Sequence, residues 1–152
     1  MKRIITICSG NLCRSPMAER LVKREANDSG LSVAVISMGT LGLEARQAPR
    51  EVIAVMEELG LDLRNHRSQG ISLGILRHAD TILVMEAAHE RHLVKLDPGL
   101  QPKIVYAGSL DPDDPTLEVE DPIGKDRETY LRCRDRLVRI ASAMRERGML
   151  GR

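Results

Sequence analysis

The apolar segment Lys2–Cys8 (KRIITIC) breaks at Ser9-Gly10, and after five intervening residues Arg14 opens a segment with helical spacing. A cysteine ending a buried strand, followed by an arginine at a helix start, constrains this chain more than any other feature. The first run is rich in Ile and Thr, as a buried strand requires. The helix expected over Arg14–Asn27 carries Pro16 in its first turn, where a missing N–H costs nothing. Met17, Ala18, Leu21 and Val22 form its apolar face, and Asn27-Asp28-Ser29-Gly30 ends it.

Strand and helix patterns then alternate. Ser32–Ser37 reads as a second strand, and Pro49–Leu59 as a helix whose Val52, Val55, Met56 and Leu59 share one face, with Gly60 as its C-terminal cap. A polar stretch holding a short helix leads to a strand over Thr81–Met85, a helix over Ala87–Lys95 and a strand over Lys103–Tyr106. The last helix spans Asp126–Arg147. Cys133, Leu137, Ile140, Ala141 and Met144 line its core face, and its seven arginines are expected mostly on the outer face. Such alternation predicts one α/β domain over 1–152, a four-stranded parallel sheet covered by helices on both faces in three layers. Ligands of these sheets bind beyond the carboxyl ends of strands, near a topological switch point.

The turn from Cys8 to Ser15 (CSGNLCRS) has the composition of an anion cup. Ser9, Gly10, Asn11, Leu12 and Cys13 can curl so that successive backbone N–H groups point inward. The helix N-terminus adds unpaired N–H groups and the positive end of its dipole. Gly10 permits a positive φ, and Asn11 tolerates one. Arg14 can set a planar fork on two phosphoryl oxygens. The same positive surroundings favour a thiolate at Cys8, and Ser15 can donate a hydrogen bond to its sulfur. A cysteine alone would read as structural; the combination reads as a nucleophile at the floor of a phosphate-binding loop.

Bulk composition narrows the class further. The 152 residues include 42% apolar and 30% charged, with a net charge of +1, and show no basic excess that would suggest nucleic-acid or membrane binding. No apolar stretch approaches a membrane span, and the short apolar run Ile4–Cys8 is read as a strand rather than a signal peptide. Three cysteines, Cys8, Cys13 and Cys133, argue against a disulfide framework and for a reducing, cytoplasmic setting. With no Trp or Phe and only Tyr106 and Tyr130, the core must be aliphatic. Of the remaining histidines, His78, His89 and His92, the last two could share a helix face, but no third ligand is apparent, so no metal is expected.

CSGNLCRSPMAE, Cys8–Glu19, resembles the signature of the low-molecular-weight protein tyrosine phosphatases, and the resemblance runs through essentially the whole chain. It implies the phosphatase-I-like fold and hydrolysis of phosphate monoesters, on phosphorylated proteins or small molecules, with no cofactor. It also implies a phospho-cysteine intermediate. Cys8 is then the nucleophile and Arg14 the phosphate clamp. The general acid is an Asp-Pro aspartate before the last helix, matched by Asp121-Pro122. Asp97, Asp111 and Asp114 also precede prolines; Asp121 is preferred for its place and the following Gly124. Asn11 matches the loop-bracing asparagine, Ser37 in SMGT the bracing serine, and His66 in RNHRS the bracing histidine. A monomer is the default expectation.

The six acidic residues from Asp111 to Asp121 read either as a solvated acidic loop or as a field that keeps Asp121 protonated. Ile123 stands where phosphotyrosine-specific relatives carry an aromatic, and Gly39–Gln47 holds no aromatic. The phosphatase chemistry is therefore better marked than the phosphotyrosine preference. Leu12 stands where an arginine-phosphatase branch carries Thr. Arsenate reduction would need further cysteines in mid-chain, and Ile75–Lys95 has none. A non-catalytic anion-binding module, or a thiol redox switch in which Cys13 traps an oxidised Cys8, are the rivals from other classes.

Overall fold

The structure is a computed structural model, and it describes residues 1–151. Arg152, the last residue of the expected domain, lies outside the described residues. Four strands, β1 (Lys2–Cys8), β2 (Val33–Gly39), β3 (Thr81–Val84) and β4 (Ile104–Tyr106), form one parallel sheet in the order β2-β1-β3-β4. Five helices flank it: α1 (Arg14–Asp28), α2 (Arg50–Glu57), α3 (Leu73–Arg77), α4 (Ala87–Leu96) and α5 (Arg127–Glu146). Pro49 caps α2 rather than opening it. Two short 3-10 helices, Pro98–Lys103 and Ala107–Leu110, bracket β4 and were invisible to apolar periodicity.

The two-residue period of β1 sorts its side chains between two aliphatic cores. Ile4 and Cys8 join Met17, Leu21 and Val22 of α1, Val52 and Val55 of α2, and Leu137 and Ile140 of α5. Ile5 and Ile7 join Leu76 of α3 and Leu93 of α4 on the opposite face. The sheet is thus the middle of three layers. The chain leaves β1 to build β2 on one side and returns to build β3 on the other, so the switch point falls between β1 and β3. The carboxyl ends of these two strands, Cys8 and Val84, open onto that crevice.

One expectation for α5 needs correction. Of its arginines and the Arg147 that caps it, Arg127, Arg132 and Arg147 are exposed, but Arg134 and Arg136 are buried. Each is compensated by acceptors on another element. Arg134 donates to the Val55 carbonyl at 2.9 Å and pairs with Glu58. Arg136 serves the loop described next. Among the described residues no helix is long and apolar enough to cross a membrane.

Candidate active site

Residues 9–13 turn the chain from β1 into α1, and their conformation is set from three sides. From β2, the Thr40 N–H donates to the Cys8 carbonyl at 3.1 Å and the Leu41 N–H to the Ser9 carbonyl at 2.9 Å. Gly39 makes this approach possible: a Cβ there would lie 2.7 Å from the Ser9 carbonyl oxygen and 2.8 Å from the Asn11 nitrogen. The loop's positive φ, 57°, falls on Asn11 and not on Gly10. Asparagine bears that conformation because its side chain is bonded at both ends. Asn11 Nδ2 donates to Ser15 Oγ and Asn11 Oδ1 accepts the Gln69 N–H, each at 2.9 Å. From the third side, His66 Nε2 donates to the Asn11 carbonyl at 2.7 Å. Burial holds the His66 imidazole below its ordinary pKa.

Ser15 then decides what the sulfur meets. Its Oγ already accepts from Asn11, so its own proton is free for Cys8 Sγ at 2.9 Å, a better partner than the Met38 carbonyl at 3.4 Å. Thr6 Oγ1 donates to the Ser15 carbonyl at 2.8 Å and ties this first turn of α1 to β1. Cys13, at the N-cap of α1, is a free thiol among the core residues, and burial together with the neighbouring Cys8 pushes its pKa up. Cys133 is likewise free and buried, pushed up to about 12 by desolvation.

Arg14 is 1% exposed, with both of its terminal nitrogens in contact with acceptors. Its NH1 donates to Glu86 Oε2 at 2.6 Å and to the Val119 carbonyl at 2.8 Å. Its NH2 lies 3.4 Å from Asp121 Oδ2 and 3.5 Å from Ser9 Oγ. Burial opposes the charge, but Cys8, Asp121 and Glu86 together raise its pKa, so the guanidinium stays a cation. Cys8, Gly10, Leu12, Cys13, Arg14, Asp121 and Ile123 line one small pocket. It has a sulfur, a cation and a carboxylate inside and two aliphatic side chains at its wall.

Asp121 is the Asp-Pro aspartate that approaches Arg14. Asp97 pairs with Arg77, and Asp114 caps its own turn through Thr116. Asp111 is buried against Arg136 and Arg139. Desolvation would raise the Asp111 carboxyl, but hydrogen bonds from Arg139, the Asp113 N–H and Arg136 outweigh it and hold it down at about 2. Arg136 also donates to the carbonyls of Asp114, Thr116 and Glu118 at 2.6–2.7 Å. The acidic run is solvated along residues 112–118 and at Glu120, as the first of the two readings has it, while Asp111 and Val119 are buried. Its backbone wraps a buried guanidinium, which sets the Val119 carbonyl against Arg14.

Ser37 differs from expectation. Strand β2 continues to Gly39, and among the described residues no hydrogen bond joins the Ser37 hydroxyl to the loop. Its carbonyl accepts from Gln69 Nε2 at 2.9 Å, and Gln69 in turn bonds Asn11. Sequence reading missed Gln69, Glu86, His89 and Arg136. Gln69 bonds Asn11 through its backbone N–H, a contact any residue other than proline could make. Glu86-x-x-His89, an acid and a histidine directly after a strand, was the one available signal. Among the described residues, no group of three or more His, Cys, Asp or Glu is placed to hold a metal ion.

Comparison with known proteins finds relatives over nearly the full length. The family model described as low molecular weight phosphotyrosine protein phosphatase matches residues 3–147. The low molecular weight protein-tyrosine-phosphatase Wzb of Escherichia coli strain K12 is 35% identical over 138 residues, 91% of this chain and 89% of that protein. The crystal structure of a low molecular weight protein tyrosine phosphatase from T. tengcongensis superposes with a TM-score of 0.89 at 30% identity, covering 97% of this chain and 99% of that one. The YwlE arginine phosphatase from Geobacillus stearothermophilus gives 0.86 at 28%, covering 98% and 94%. A family match running from β1 to the end of α5 leaves one assignment: the chain belongs to the low molecular weight phosphotyrosine protein phosphatase family.

Proposed function

We infer that the protein hydrolyses phosphate monoesters, with phosphotyrosine on proteins as its substrate class, through a phosphoryl group carried on Cys8. The observation that supports this most is the set of contacts around one pocket: Cys8 Sγ held by Ser15 at 2.9 Å, with Arg14 NH2 facing Asp121 at 3.4 Å. In the first step the sulfur attacks phosphorus, the phosphorus–oxygen bond to the leaving group breaks, and Asp121 gives that oxygen its proton. Arg14 and the backbone N–H groups of residues 9–13 and Ser15 stabilise the charge spread over the equatorial oxygens. In the second step Asp121 takes a proton from water, the water oxygen attacks phosphorus, and the sulfur leaves. Ser15 then donates to it.

The pocket wall favours a flat or aliphatic leaving group over a charged one, since Leu12 and Ile123 line it. Leu12 offers no hydroxyl to a guanidinium, which weighs against phosphoarginine. A cytoplasmic, reducing setting suits a nucleophile that must stay a thiol, and we read the protein as a monomer there.

Two variants test the mechanism. Cys8→Ser abolishes release of phosphate. Asp121→Asn slows phenyl phosphate hydrolysis by about 100-fold, the usual scale of a lost general acid, while inorganic phosphate still binds. Parental turnover of phenyl phosphate by Asp121→Asn would remove that residue from its role. Substrate class is read by comparing phosphotyrosine, phosphoserine and phosphoarginine peptides. Faster release from phosphoarginine would overturn the assignment to tyrosine.

A further inference from the structure

We propose that His89 is a positioning residue for phosphoryl binding, acting on Arg14 through the hydroxyl of Ser9. The inference rests on the phosphatase reading of the same site but concerns a histidine outside its motif. Glu86 ends the β3 turn and His89 lies one helical turn later, in α4. The Glu86 N–H donates to His89 Nδ1 at 3.1 Å. A backbone N–H can only donate, so Nδ1 is the acceptor and the ring proton sits on Nε2. That nitrogen is 2.9 Å from Ser9 Oγ, which therefore accepts.

Arg14 NH2 reaches the same oxygen at 3.5 Å and can also only donate. Two donors thus converge on the hydroxyl and turn its own proton away from the guanidinium. Without the His89 donor, the hydroxyl could rotate and point its hydrogen at the Arg14 cation. The first turn of α4 therefore holds both ends of the fork: Glu86 grips NH1 directly at 2.6 Å, and His89 fixes the acceptor beside NH2.

The histidine is suited to a fixed, neutral role. It is 1% exposed, and burial together with the Arg14 charge pushes its pKa down to about 4, against the pull of Glu86, Glu118 and Asp121. Neither Ser9 nor His89 is among the residues lining the pocket with Cys8 and Asp121. Both act through Arg14 rather than on the reacting atoms.

The test is a double-mutant cycle on Ser9→Ala and His89→Phe, read as the Kd of inorganic phosphate by titration calorimetry, with thermal melting alongside. Each single variant weakens phosphate binding by about fivefold, the scale of one hydrogen bond, and the double variant is no weaker than either. His89→Gln keeps an N–H donor and recovers affinity to within about twofold of the parent. A histidine that merely caps α4 would lower the melting temperature and leave Kd unmoved. Parental Kd in Ser9→Ala, or fold-changes that multiply in the double variant, would overturn the proposal. Should His89→Phe fail to fold, parental Kd in Ser9→Ala, which leaves α4 untouched, would still overturn the proposal, as would a loss of about fivefold in His89→Gln. Phosphate binding needs no turnover, so this outcome is separate from whether the parent hydrolyses any ester.

Discussion

At the scale of single residues, the site turns on which groups can only donate and which can only accept. Asn11 works because one amide supplies both: Nδ2 occupies the Ser15 oxygen and Oδ1 takes the Gln69 N–H. Ser15 is thereby left with a proton for sulfur. Asn11→Ala removes both bonds and places alanine at a φ of 57°. It should cost about 2 kcal/mol in denaturant unfolding and weaken inorganic phosphate binding. Stability loss with unchanged phosphate affinity would show that the loop keeps its shape without the amide. Cys8, Arg14 and Asn11 were legible in the sequence because they sit within seven residues of one another, where spacing alone fixes their relation. The positive φ was assigned partly to Gly10 because composition cannot tell which of two adjacent tolerant residues takes the strained position. Ser37 was carried over from a motif, and among the described residues it is the Ser37 carbonyl, through Gln69, that is tied to the loop.

At the scale of elements, α5 and the segment Asp111–Asp121 form one unit. Arg136 sits at its centre, paired with Asp111 and donating to carbonyls on the loop. Through Val119 this unit reaches Arg14. Arg136→Leu leaves several carbonyls and part of the Asp111 charge without a donor, and should cost about 3 kcal/mol. It should also reduce kcat on phenyl phosphate more than it weakens phosphate binding, because the loop carries the acid while the cup carries most of the phosphate contacts. Equal losses in both would mean that the loop and the cup are set together. The apolar face of α5 could be read from its 3.6-residue period. Its buried arginines could not, since Arg136 bonds backbone carbonyls 18–22 residues away in sequence and Arg134 one 79 residues away.

At the scale of the whole molecule, Asp111 and His89 are buried titrating groups through which stability follows pH. Asp111 is held at about 2 against an ordinary 3.8, so its contribution is complete above the ordinary value and lost as pH falls toward 2. His89 falls from 6.5 to about 4, so the unfolded chain binds a proton that the folded one refuses across that interval. Stability therefore declines as pH drops from 6.5 toward 4, with His66 contributing in the same direction. Denaturant unfolding between these pH values should give a shallower dependence for His89→Gln than for the parent; parallel curves would mean that the imidazole is not desolvated. The sheet order was readable only as a class. Alternating strands and helices imply a parallel sheet, but the position of the switch point depends on which side of β1 each crossover takes. Local pattern does not carry that choice.

The central claim is that the phosphoryl group rides on one sulfur. Acid-quenched turnover of phenyl phosphate by the Asp121→Asn variant, followed by peptide mass spectrometry, tests it directly. One phosphoryl group is expected on the peptide that carries Cys8, and none when Cys8 is replaced by alanine in the same background. Phosphate release that persists in the Cys8→Ala protein, or a phosphoryl group recovered on any other residue, would contradict it.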